Sequence, residues 1–418
     1  MNAPAPSFPD ATASDPRSLA WMQGAPPPAD KLVRFNELAH FQFPKSRWAF
    51  AHMRQLVPTT QIWRGEGPAS ALPRRAVDGI DTVGFTSLTG KPMNWAQSLD
   101  ANYTDAIAVL HRGHLVYERY FAGMAPHRTH TAFSVTKSYT GTLATMLVQE
   151  GLLDESKLVP HYIPELRDSA YADATVRDVM DMRIGVDYSE DYTDPAAGIW
   201  EHARAGGTFP RPPGYSGAQS FFEYLTRLKK SGPHGKGFAY KTVSSDVLGW
   251  LMRRVTGIGY GDLLAQRLWH PLGCEFDADM MVDTEGTEFA GGGLCATVRD
   301  LLRMGEAMRS DGAFNGRQII PPAVVHDIRT QGSVEAFKTG GPPTLPGGAY
   351  RAMWWVTNNA HGAYSARGIH GQAIYVDPTA EMVVARLASH PMAANVHLDP
   401  TSLPAYHALA LWLMKEGA

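Results

Sequence analysis

Strand-forming text lies at two places far apart in this chain, and helical text fills the space between them. Between Asp105 and Phe121, the runs AIAVL and LVYERYF flank His111-Arg112-Gly113-His114, which is the signature of a β-hairpin. Some 230 residues later, MWWVTN, GQAIYVD and EMVVARLA carry the β-branched and aromatic content of strands. Val176 to Met182, Phe221 to Lys230, Ser245 to Thr256 and Tyr260 to Trp269 have helical patterning, and a further helix closes the chain near Ala405 to Lys415. One antiparallel sheet shared by the early hairpin and the late strands satisfies this order, with the helical block inserted beside it and a cleft between the two. The expected division is an N-terminal extension over 1–72, an α/β sandwich from 73–155 and 290–418, and a helical subdomain over 156–289. Within the extension, residues 1–30 are rich in Pro, Ala, Ser and Asp and read as a loose arm laid over the body. The aromatic, Gly- and Pro-rich stretch from Val186 to Gly217 reads as a long loop, and loops of that length are usually functional.

A chain of 418 residues is too long for one small core. Its 44% hydrophobic and 19% charged residues exclude a disordered chain, and a formal net charge of -3 gives no footing for nucleic acid or an anionic membrane. Charges, Pro or Gly interrupt every apolar run, so no membrane span is expected. The start MNAPAPSFPDATASDPRSLAW lacks a basic stretch followed by an apolar one, and two cysteines, Cys274 and Cys295, make no disulfide framework. A cytoplasmic protein is therefore expected. His111, His114, His127 and His130 lie near the hairpin, but no pair has metal spacing with a placeable third ligand; they read as surface or loop histidines, and neither metal nor cofactor is expected.

Chemistry gathers at three places. Phe133-Ser134-Val135-Thr136-Lys137 opens an apolar helical run, with Val135, Tyr139, Thr142, Leu143, Met146 and Leu147 in roughly helical period and Gly151 suited to stop it. Three residues is nearly one helical turn, so the Ser134 hydroxyl and the Lys137 ammonium share a face. A neutral lysine there takes the serine proton. Reaching neutrality at pH 7 from a free value of roughly 10.4 needs about 4 kcal/mol, which burial can supply. Alone the pattern is weak, because a chain this long holds about one Ser-x-x-Lys by chance; an N-cap serine with a solvated lysine would look the same. Tyr240, in FAYKT just before a helix, can aim its hydroxyl into the cleft beside Lys137, or simply pack. In Ala366-Arg367-Gly368-Ile369-His370-Gly371, the glycines let a strand edge approach a ligand, and the Ile369 amide is placed to complete an oxyanion hole begun at the Ser134 helix terminus; a plain Gly-rich turn is the alternative.

Taken in order, these elements resemble the three motifs of the penicillin-recognising serine hydrolases, of the class C β-lactamase type: Ser-x-x-Lys, Tyr-x-Asn/Ser, and a Lys/His-Thr-Gly strand. The resemblance covers roughly residues 75 to 415, and GGGLCATVRDLLRM shares it. The phrases LVRFNELAHFQFPKSRWAFAHMR, FSVTKSYTGTLATML, GVDYSEDYTDP, YKTVSSDVLGW and GIHGQAIYVDP resemble the branch of 6-aminohexanoate-dimer hydrolases and their carboxylesterase-like relatives. The resemblance implies a β-lactamase/transpeptidase-like α/β fold, an antiparallel sheet flanked by helices with an all-helical subdomain. It further implies Ser134 as nucleophile, Lys137 as general base, Tyr240 as proton donor to the leaving group, and the Ser134 and Ile369 amides as oxyanion hole. Tyr192 matches a tyrosine that closes over the substrate amide, Trp355 an aromatic that moves with it, and Gly368 and His370 fall in the strand motif at the substrate edge. Two positions depart from the β-lactamase pattern: Thr242 stands at the third place of the motif that Tyr240 opens, where many β-lactamases have Asn, and Ala366-Arg367-Gly368 replaces Lys-Thr-Gly, with His370 out of register as a substitute.

The implied activity is cleavage of a linear amide or ester in a small molecule through an acyl-enzyme. A carboxylesterase of small acyl esters, a non-catalytic ligand-binding homologue and an exported cell-wall peptidase are the alternatives. A homodimer is compatible with the sequence without being specified by it.

Overall fold

The computed structural model describes residues 7–416. Its main sheet joins the two ends of the chain as the sequence predicts. Seven antiparallel strands run in the order Ala349–Arg351, Trp354–Val356, Tyr364–Gly368, Gln372–Asp377, Met382–Ala388, Thr104–His111, His114–Tyr120. The early hairpin docks through its first strand: Val383 opposes Leu110 and Ala385 opposes Ala108, so the central strands are buried on both faces. Ala349–Arg351 had no separate signal in the sequence; it is short and takes its conformation from its neighbour, while Tyr364–Gly368 carries the Ala366-Arg367-Gly368 strand motif.

The terminal helix Asp399–Glu416 and Trp95–Ala101 cover one face through Tyr406, Leu409 and Trp95. The helices Val135–Gln149 and Val298–Arg309 cover the other. Val135–Gln149 is buried from Val135 through Leu147, on every side rather than along one stripe, because the helical block packs on its far face. Its approach to the sheet is close. A Cβ on Gly141 would lie 1.9 Å from the Ala352 carbonyl oxygen, so only glycine fits there. Polar contacts then fix the helix in register: Ser138 Oγ donates to Met353 O at 2.8 Å and Trp354 Nε1 donates to Thr142 Oγ1 at 3.0 Å.

Between 156 and 289 the expected helices are present as Val176–Met180, Phe221–Arg227, Val243–Thr256 and Tyr260–Leu264, the last continuing as a π-turn over Ala265–Trp269. Two features differ from the sequence reading. The stretch expected as a loop from 186 to 217 contains a helix, Gly198–Ala205, whose Ile199, His202 and Ala205 are buried. Ala278–Met281 is a strand, the centre of a second antiparallel sheet in the order Thr59–Ile62, Ala278–Met281, Leu294–Ala296, His130–Thr131. This small sheet ties the N-terminal extension and the helical block to the turn that carries Ser134.

The histidine expectation also needs correction. His111 and His130 are buried rather than superficial; His130 Nε2 lies 3.3 Å from Asp105, whose other oxygen accepts from Arg47 at 2.8 Å. Arg47 in turn donates to Ser14 Oγ at 2.9 Å, so the start of the chain is fastened to the sheet by a buried ion pair.

Candidate active site

Ser134 stands at the N-terminus of Val135–Gln149, directly after the short strand His130–Thr131. The turn between them is strained: Phe133 holds φ at 44°, a region costly for a bulky side chain and tolerated where the surroundings impose it. Packing of the Phe133 ring on Phe50, centroids 4.9 Å apart, supplies part of that constraint.

Lys137 lies one turn along, 1% exposed, and its Nζ donates to Ser134 Oγ at 2.8 Å and to the Gly291 carbonyl at 2.5 Å. Burial lowers its pKa from 10.5 to about 8, against the opposing pull of Glu190 and Asp246. A minor neutral fraction, on the order of a tenth at pH 7, thus exists in contact with the hydroxyl it would deprotonate. The Gly291 peptide is itself held: its N–H donates to Asp246 Oδ1 at 3.2 Å. Asp246 Oδ2 faces His202 Nε2 across 2.9 Å, and His202 Nδ1 sits 3.3 Å from Tyr188 Oη.

Tyr240 precedes Val243–Thr256, and the Lys137 ammonium rests 5.1 Å from its ring centroid. Burial pushes its phenol well up, while interaction with the Ser134 hydroxyl pulls the other way. The phenol therefore stays protonated and can donate. Its ring stacks on Trp355 at 5.4 Å, and Arg367 lies over the other partner's face, 5.3 Å from the Trp355 ring.

The structure brings Ser134, Lys137, Tyr192, Tyr240, Trp355 and Ile369 around one space, and Ser134 divides it. Inward lies a pocket of about 70 Å³ walled by Phe41, Phe133, Ile199, Trp200, Phe209 and Phe289, with Lys137 at its edge. Outward lies a cleft of about 280 Å³ bordered by Glu190, Tyr240, Trp355, Arg367, Asn395 and Asp399. Ile369 and Tyr192 border both. Gly368 and His370 sit behind this wall. A Cβ on Gly368 would come 2.6 Å from the Ala132 carbonyl, so glycine lets the strand end abut the nucleophile turn. His370, at φ 61°, packs its ring on Phe50 and Phe133, its Nδ1 lies 2.6 Å from His390 O, and it borders a neighbouring cavity.

Several groups at the site escaped sequence reasoning. Glu190 accepts a short hydrogen bond from the Thr242 amide and meets Tyr192 Oη at 3.4 Å; its place two residues before Tyr192 was the available signal. Arg367 forms a buried ion pair with Asp399, on the terminal helix. Phe41 and Met53 reach the inner pocket from the N-terminal extension. Among the described residues, no group of three or more His, Cys, Asp or Glu side chains is arranged to hold a metal ion, and no helix is long and apolar enough to cross a membrane.

Known proteins are similar to this chain. Residues 95–401 match the Beta-lactamase family. Over 349 residues the chain is 37% identical to a 6-aminohexanoate-dimer hydrolase of Paenarthrobacter ureafaciens, covering 83% of this chain and 86% of that protein. A solved structure described as "Putative 6-aminohexanoate-dimer hydrolase from Bacillus anthracis" superposes with a TM-score of 0.85 at 29% identity, over 93% of this chain and 99% of that one. The hydrolase EstCE1, at 15% identity and a TM-score of 0.57 over 74% of this chain and 96% of its own, shares the fold. The site thus sits on a β-lactamase/transpeptidase-like fold, and the chain belongs to the beta-lactamase family of hydrolases.

Proposed function

We propose that this protein is a serine hydrolase that cleaves linear amide or ester bonds through an acyl-enzyme, in the manner of the 6-aminohexanoate-dimer hydrolases. The observation that carries the reading is the 2.8 Å contact between Lys137 Nζ and Ser134 Oγ, with Ser134 bordering the same cleft as Tyr240. Ser134 Oγ attacks the carbonyl carbon while its proton passes to Lys137. The oxyanion is taken up by the Ser134 and Ile369 amides. Tyr240 gives its proton to the departing amine or alcohol and is reprotonated from Lys137. Water then attacks the acyl-enzyme, loses its proton to the same groups, and releases Ser134 and the carboxylic acid. Tyr192 closes one side of the cleft and Trp355 backs Tyr240.

Arg367 argues against β-lactams as the substrate. Its charge is already matched by Asp399, so a β-lactam carboxylate meets a neutralised cation. A carboxylesterase with minor amidase activity uses the same machinery, and the two are separated by rates on matched esters and amides. The test is turnover of p-nitrophenyl acetate and butyrate by wild type and Ser134→Ala, with linear 6-aminohexanoate dimer alongside. Loss of at least ~10⁴-fold in the variant, with its folding intact, is expected. Equal turnover by the two proteins would refute the nucleophile.

A further inference from the structure

The carbonyl on which Lys137 rests cannot hold itself in place. Gly291 opens the run Gly291-Gly292-Gly293, whose backbone has no side chain to restrict it. Two side chains pin the start of this turn: Thr140 Oγ1 donates to Ala290 O at 2.8 Å, and Asp246 Oδ1 accepts from the Gly291 N–H at 3.2 Å. Asp246 stands in the first turn of Val243–Thr256 and is 2% exposed. An asparagine would take the same N–H, whereas a buried carboxylate is costly unless something calls for its charge. The fold meets that cost from two sides. The helix N-terminus favours a negative charge. His202, buried on Gly198–Ala205, brings its Nε2 to 2.9 Å from Asp246 Oδ2, and among the described residues neither atom has another hydrogen-bonding partner. With the ring proton on Nε2, Nδ1 accepts from Tyr188 Oη at 3.3 Å, and every contact from Tyr188 to Asp246 has a donor and an acceptor.

We infer that Asp246, with His202 behind it, is a positioning group for the base of the serine hydrolase reading above: it fixes the Gly291 carbonyl at Lys137 and supplies a counter-charge for the ammonium formed as Lys137 takes the Ser134 proton. In that step the Ser134 O–H bond breaks and an N–H bond forms on Lys137, while Ser134 Oγ bonds to the carbonyl carbon. No proton passes to Asp246, which reaches Lys137 only across Gly291; it acts by place and charge. The other carboxylate that acts on Lys137 is Glu190, from the cleft side. Tyr171, Tyr188, Tyr240 and Tyr260 also face Asp246 or Lys137, and burial pushes all four phenols up, so they stay neutral. Arg367, beside Tyr240, is matched by Asp399.

The test reads kcat/KM for p-nitrophenyl butyrate between about pH 6 and about pH 10 in wild type, Asp246→Asn, His202→Gln and His202→Leu. Asp246→Asn keeps an acceptor for the Gly291 N–H and removes the charge, so Lys137 sheds its proton more readily. The rising limb near pH 8 should move down by about one pH unit, and kcat on the plateau should fall about tenfold with KM little changed. His202→Leu removes the donor. Asp246, whose carboxyl burial already pushes up, then takes a proton and loses its charge, so the limb moves the same way. His202→Gln keeps a donor and leaves the limb within about 0.3 unit of wild type. The double variant Asp246→Asn/His202→Leu moves it no further than either single change. A limb that stays at the wild-type pH in folded Asp246→Asn, with activity lowered equally at every pH, would reduce Asp246 to a scaffold of the turn; the inference then fails while the serine hydrolase reading stands. If Asp246→Asn does not fold, the contrast between His202→Leu and His202→Gln decides by the same criterion. Should wild type turn over neither ester nor amide, both readings fall.

Discussion

The helix Val135–Gln149 and the segment 186–217 both border Ser134, and they are built in opposite ways. The helix is buried on all sides and pinned to the sheet by Gly141, Ser138 and Thr142. Within the segment, Ser189 to Ala196 ride on the surface, while Ile199, His202, Ala205 and Phe209 behind them are buried. Asp191, Thr193 and Asp194 are exposed, and the outer stretch is held by hydrogen bonds from the Thr242 amide to Glu190 and from Lys241 to Tyr188 O; the rest is anchored by the buried His202–Asp246 pair and by the contact of Thr208 O with His40 at 3.1 Å. The difference separates two jobs. Groups that must hold a proton-transfer distance are fixed in the core, where side chains cannot drift. Tyr192, which borders both spaces, sits on the outer stretch with fewer anchors, which can adjust at little cost.

This contrast can be broken in three places, in order of expected effect. Lys137→Met should cut kcat/KM by at least ~10³-fold, yet unfolding free energy at pH 7 should hold or rise, by up to roughly 3 kcal/mol. The sign follows from linkage. The folded-state pKa of Lys137 is depressed from 10.5 to about 8, so below pH 8 the fold carries a buried ammonium. That cost is relieved as pH rises from 8 to 10.5, where the unfolded chain still holds the proton. The same titration gives wild-type kcat/KM a rising limb near pH 8. A limb near 10, or a marked loss of stability in the variant, would contradict a buried, partly neutral lysine.

Gly141→Ala tests the rigid side directly. Its new methyl would overlap the Ala352 carbonyl, so about 1–3 kcal/mol of stability should be lost in a denaturant titration. Unchanged stability would mean that the helix does not sit as tightly on the sheet as described.

Glu190→Gln tests the thinner side. Losing the carboxylate removes a charge that raises the Lys137 pKa, so the rising limb should move to lower pH. Weakening the contact to the Thr242 amide should cost about 1 kcal/mol. A limb that stays in place would remove Glu190 from the electrostatics of the site.

The same contrast decided what could be read from the sequence. Ser134 and Lys137 are three residues apart on one helix, and Tyr240 directly precedes another, so their chemistry was legible as contiguous text. The shared sheet was legible too, because its hairpin and three of its late strands carry strong β patterns. Gly291 was not, since a carbonyl that accepts from Lys137 has no side chain to announce it. Gly198–Ala205 was hidden in glycine- and proline-rich text, where eight residues become helical because Ile199, His202 and Ala205 find a buried face. Phe41 and Met53 looked like packing in an irregular extension. The small sheet through Thr59–Ile62 and Ala278–Met281, with Phe41 packed on Phe50 and Phe209, brings that extension to the inner pocket, and pairing between strands more than 200 residues apart leaves no local pattern.

The central claim is that Ser134 is the nucleophile and Lys137 its base. A serine-reactive fluorophosphonate, followed by intact-mass and peptide-mass measurement, tests it most directly. A single adduct on the peptide carrying Ser134 is expected, with labelling slowed strongly in Lys137→Met and absent in Ser134→Ala. An adduct on a different serine, or none on a folded wild-type protein, would contradict it.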